Sequence, residues 1–141
     1  MADPTSSALR WLSLASGDIA GARVVLSVTG TPPRIAAYLA HQAAVKALKA
    51  SIASAGIVPA RTHDLVGLRA AAPDALRRFV PVAGLRRLAL AGLVARYPAQ
   101  ASDLIDRSMS QRLLADAAGI IELVTTYLSS VTSTPNEVEP I

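Results

Sequence analysis

The chain has no cysteine, and only one tryptophan, one phenylalanine and three tyrosines in 141 residues. Without cysteine there are no disulfides and no thiolate metal sites, and a chain of this length can build one core without such staples. The absence also fits the cytoplasm, which is the expected location. Few aromatics beside abundant alanine and leucine favour an all-helical class. Charges interrupt every apolar run before the ~20 residues that would span a bilayer. The opening MADPTSSALRWL lacks the charged start and long apolar stretch of a signal peptide. A soluble protein with no membrane partner is therefore expected. No HExxH, HxH or EF-hand loop is present, so no metal is expected. Nor is there a P-loop, a GxGxxG turn or a GxSxG elbow, and no cofactor is expected.

Lysine is scarce as well. Of fourteen basic residues twelve are arginine, and the formal net charge is +4. Arginine suits phosphate and carboxylate, but a GC-rich genome also supplies it in place of lysine, so the charge alone leaves nucleic-acid binding unsupported. The two lysines carry more information, because both fall in one segment, RIAAYLAHQAAVKALKASIASA, from Arg34 to Ala55.

Almost every position in that segment is apolar. Gln42, Lys46 and Lys49 recur at i, i+4 and i+7, within a sector of roughly 60° on a helix. Beside them runs an apolar arc of Ile35, Tyr38, Val45 and Ile52. The far side carries Ala36, Ala40, Ala43, Ala47 and Ala50, which let another helix approach closely. A helix apolar on most of its circumference is central in a bundle. Its lysines need an anionic partner, internal or bound, because a desolvated ammonium is costly.

The same periodicity predicts a first helix over Ser6 to Ser27, with Trp11, Ala15, Asp18, Ala22 and Val25 as a buried stripe that contains a carboxylate. After Arg34 to Ala55, closed by Gly56, Thr62 is the expected N-cap of a short helix over His63 to Ala71. A short helix over Asp74 to Phe79 and another over Ala83 to Ala95 follow. The last long helix is expected over Asp103 to Ser130, with Leu113, Ala117, Ile120, Ile121, Val124 and Leu128 facing inward. The expected fold is an all-α, up-down bundle of four main helices plus one or two short ones, over residues 6–131, with a disordered tail over 132–141.

Three constellations carry chemistry. Asp18 faces Lys46 and Lys49, either as a structural ion pair or as the wall of a cationic cleft for phosphate. His41 projects about 100° from Gln42 into the apolar arc, where histidine is usually a hydrogen-bonded core residue. Arg61, His63 and Asp64 sit together at the start of a short helix, as helix-start chemistry or as a polar loop site. Arg96-Tyr97-Pro98 closes the penultimate helix, where proline sets the turn, tyrosine can plug the bundle end and arginine can bind an anion.

Taken in order, these pieces resemble the HEPN domain family (higher eukaryotes and prokaryotes nucleotide-binding), in its form with an Arg-Tyr-Pro motif. The residues that carry the resemblance are Trp11, Ala15, Asp18 and Ala22, the run HQAAVKALKA from His41 to Ala50, Arg61-Thr62-His63-Asp64-Leu65, and Arg96-Tyr97-Pro98. Together they span Ala8 to Leu128. Val45 departs from the pattern, since the family commonly has glutamate there.

The resemblance implies a helical bundle that commonly dimerises, nucleotide binding, pairing with a minimal nucleotidyltransferase and, in some branches, RNA cleavage. It points to Gln42, Lys46, Lys49, His63 and Arg96 as ligand-binding residues, with Asp18, Asp64 and Tyr97 in support, and assigns no catalytic residue. The nuclease branch carries Arg, four to six residues, then His on a later helix. Arg34 and His41 meet that spacing on the second helix, and no arginine so precedes His63. The leading expectation is a non-catalytic module for a nucleotide or other phosphate-bearing ligand, acting as a homodimer or with a separately encoded nucleotidyltransferase. The alternatives are a metal-independent ribonuclease toxin and a dimeric helical adaptor without a small ligand.

Overall fold

The computed structural model describes residues 3–96 and 105–132. Among these are six helices and no strand: α1 (Pro4–Ser27), α2 (Pro33–Ser54), α3 (Leu65–Ala71), α4 (Asp74–Arg77), α5 (Val82–Arg96) and α6 (Arg107–Thr132). The expected architecture holds, with α1, α2, α5 and α6 as the main helices and α3 and α4 as the short ones.

Helix α2 is central because its sequence leaves it little else to do. Fourteen of its 22 residues are buried, and it packs on α1, α3, α5 and α6. The alanine side is fully enclosed, with Ala36, Ala40, Ala43, Ala47 and Ala50 all at 0% exposure. The apolar arc divides. Val45 and Ile52 are buried, while Ile35 and Tyr38 stay exposed, Tyr38 lying nearly parallel to the His41 ring. The inward stripe of α6 is as expected for Leu113, Ala117, Ile120, Val124 and Leu128, with Ile121 half-buried. By length and composition alone α6 could also cross a membrane, yet those five side chains belong to the core.

Helix ends follow their capping chemistry more than the apolar pattern. Helix α1 begins two residues before the expected Ser6, because Pro4 occupies the first turn and the Asp3 carboxylate accepts the Ser6 N–H at 3.0 Å. Helix α3 begins two residues later than expected. The Thr62 hydroxyl takes the amide of Asp64 at 3.1 Å, which makes a side-chain turn instead of a cap. The ladder then starts at the Asp64 carbonyl, which accepts the Leu68 N–H at 2.9 Å. Helix α6 starts at Arg107, capped by Asp106 through the Met109 N–H at 2.8 Å. The expected start at Asp103 and the Tyr97-Pro98 turn lie outside the described residues. Thr132 belongs to α6, and the rest of the expected tail also lies outside them.

Candidate functional site

The sequence-predicted residues separate into two places, on different faces of α2. The first is the seam between α1 and α2. Lys46 Nζ donates to Asp18 Oδ2 at 2.7 Å, a half-buried ion pair. One turn on, Lys49 is 8% exposed and its Nζ stands 5.3 Å from the centre of the Trp11 ring. The two pairings run in opposite chain directions, so α1 and α2 are antiparallel. No carboxylate pairs with Lys49 among the described residues; the indole face is its counter-group. Gln42 is half-buried, and its Oε1 has no hydrogen-bond partner among the described residues. Two of the three stripe residues are therefore engaged by α1 itself.

Burial pulls the Lys49 ammonium below its ordinary value of 10.5, and the nearby Lys46 charge adds to the shift. The sign follows from linkage. Between the lowered value and 10.5 the unfolded chain holds the proton that the folded chain releases, so stability rises with pH across that window. Below the window the cost of the buried charge is present in full. Lys49→Met keeps the stem and removes the charge, so it should raise the urea midpoint at about pH 7. The gain should shrink as the pH climbs toward 10.5, which urea melts at about pH 7 and 10 would read. A gain equal at both would mean that the lysine is not desolvated.

The second place is an open groove of about 410 Å³ between α2, α3 and α5. His41 reaches it from α2, Thr62, His63 and Asp64 from the loop before α3, and Arg86 from α5. The rings of His41 and His63 are 6.3 Å apart, centre to centre. Leu65, Val66, Leu85, Ala89 and Leu93 supply apolar wall, so the lining is mixed. His41 is buried at 4% exposure, as its place in the apolar arc implies, yet its ring borders the groove. His63 and Asp64 are exposed. Arg96 ends α5 one turn beyond Gly92 along the helix axis, and Tyr97 lies outside the described residues.

Arg86 was not singled out from the sequence. It is exposed, and among the described residues it forms no ion pair, whereas its neighbour Arg87 makes a bidentate pair with Asp116 at 2.9 and 3.0 Å. That pairing raises the Arg87 pKa further and ties α5 to α6. The spacing held one signal: Arg86, Ala89 and Leu93 recur at i, i+3 and i+7, hence share one face of α5. Charge distribution held another, since residues 61 to 96 carry seven arginines against two aspartates.

Comparison with known proteins agrees with this architecture. The model of the HEPN domain family matches residues 8–127. Among solved structures the chain is similar to ST0689, an archaeal HEPN homologue, at 19% identity and a TM-score of 0.63, over 86% of this chain and 97% of that one. That likeness concerns the fold. No curated protein matches the chain.

Proposed function

Since this chain belongs to the HEPN domain family, we propose that it is a cytoplasmic, non-catalytic binding module for a nucleotide or other phosphate-bearing ligand, held in the groove of α2, α3 and α5. The observation that carries this reading is the meeting of His41, His63 and Arg86 in one open groove. An exposed guanidinium with no ion pair among the described residues suits two oxygens of a phosphate, and an imidazole in the same groove donates a further hydrogen bond. The groove also has the size and mixed lining of a small-molecule site. Arg96, one turn beyond Gly92, is the further candidate on the same helix. The Gln42, Lys46 and Lys49 stripe then serves mainly to join α1 to α2, with Asp18 as its internal anion.

The chain has no motif for activating a triphosphate, so chemistry on a nucleotide would fall to a partner, a separately encoded minimal nucleotidyltransferase. A homodimer is part of the same proposal. The apolar strip of exposed Phe79 and Val131 with half-buried Leu123 and Tyr127 offers a surface for association. Calorimetric titration of the full chain with inorganic phosphate and with nucleotides tests the reading. Arg86→Ala should weaken binding at least about tenfold, the loss expected for one charge-assisted bidentate contact. Equal affinity in wild type and variant would remove the groove from consideration.

One observation favours a second reading. Two imidazoles 6.3 Å apart beside an arginine are also an acid–base pair with a charge clamp, which suits metal-independent RNA cleavage. Incubation with RNA in EDTA decides it. Cleavage by wild type, lost in both His41→Ala and His63→Ala, would support a ribonuclease, and intact RNA would end that reading.

A further inference from the structure

Two glycines turn the groove from a surface feature into a built one. Of the eight glycines, only Gly67 and Gly92 would bring an added Cβ closer than 3.0 Å to another atom, and both atoms belong to groove residues. At Gly67 it would meet Asp64 Oδ2 at 2.6 Å, and at Gly92 it would meet His41 Nε2 at 2.8 Å. Neither glycine has a positive φ, so no turn requires it. Each sits inside a helix, where glycine costs about 1 kcal/mol relative to alanine. By contrast a side chain at Gly17 or Gly119 would meet open space. The missing side chains at 67 and 92 give the Asp64 carboxylate and the His41 ring the room they occupy.

The charges in the groove are mixed. Arg86 and His63 provide donors, while Asp64 places an acceptor there and forms no ion pair among the described residues. A polyanion gains from the first two and is repelled by the third. A small ester that carries phosphate at one end and hydroxyl or amino donors at the other uses all three. Building on the phosphate reading above, we infer that Asp64 is a specificity residue, positioned by Gly67: the groove selects a phosphate monoester bearing hydroxyl or amino donors, of sugar-phosphate or mononucleotide size, and disfavours a nucleic-acid strand.

Calorimetry on the full chain with inorganic phosphate, ribose 5-phosphate, AMP and an eight-nucleotide oligouridylate tests this. Wild type should bind ribose 5-phosphate or AMP about tenfold or more tightly than inorganic phosphate, since the Asp64 carboxylate offers a matching donor a charge-assisted hydrogen bond. Equal gains for the two esters identify sugar hydroxyls as the donor, and a gain for AMP alone identifies the base amine. Asp64→Asn and Gly67→Ala should each reduce that margin to about threefold or less and raise affinity for the oligonucleotide. Gly67→Ala should do so with an unchanged or higher melting temperature, because exposed Asp64 can swing away and alanine favours the helix. An unchanged margin in both variants, or a wild type that prefers the strand, overturns the inference. If phosphate binding depends on Arg86 but not on Asp64, this inference alone fails; if no probe binds, the phosphate reading fails with it.

Discussion

Replacing Leu48 with alanine is expected to lower the unfolding free energy by about 2–5 kcal/mol. Leu48 is at 0% exposure and is among the largest fully enclosed side chains, on the helix that packs on α1, α3, α5 and α6. A close-packed interior closes such a void only in part, so the lost leucine contacts are not regained. Against a total stability of about 5–15 kcal/mol for a domain of this size, such a loss would move the urea midpoint by a large fraction of its value. The same change at Leu93, 45% exposed on α5, should cost well under half as much. Similar costs at the two positions would mean that α2 is not the centre of the core.

Gly92→Val is expected to be the second most disruptive substitution, at about 1–3 kcal/mol. The added Cβ alone would stand 2.8 Å from His41 Nε2, and His41 is buried, so the ring cannot move aside as Asp64 can. Either the imidazole leaves its rotamer or α5 separates from α2. Valine gives back little of the helix propensity that alanine would supply, so the steric cost is not hidden. Chemical denaturation reads the stability loss, and histidine NMR resonances read the displacement. A variant with wild-type stability and an unmoved His41 resonance would show that the approach of α5 to α2 is looser than described.

Much of the fold was legible because alanine and leucine periodicity is a one-dimensional signal. The enclosed alanines of α2 and the inward stripe of α6 needed no tertiary knowledge, and the Asp18–Lys46 pair followed from matching two helical faces. Helix starts were less legible. Thr62 reads as a cap in sequence, but its hydroxyl is spent on a turn, and only the three-dimensional path of the loop decides which donor it meets. The groove was the least legible part. His41, His63 and Arg86 are 22 and 23 residues apart along the chain, and no local spacing brings them together. Their meeting depends on how closely α5 and the α3 loop approach α2, and the approach of α5 is set partly by the missing side chain of Gly92. The rarity of lysine drew attention to the seam instead, where α1 already answers most of the charge.

Trp11 makes the choice between seam and groove measurable, because it is the only tryptophan in the chain and lies under the Lys49 ammonium. The direct test is to titrate the full-length protein with ribose 5-phosphate, which does not absorb near the indole band, and follow heat and Trp11 emission together. Binding in the groove predicts a saturating heat signal, abolished by Arg86→Ala, with Trp11 emission unchanged throughout. Emission that tracks the binding isotherm, with both signals lost in Lys49→Met and retained in Arg86→Ala, would return the ligand to the lysine seam and contradict the account.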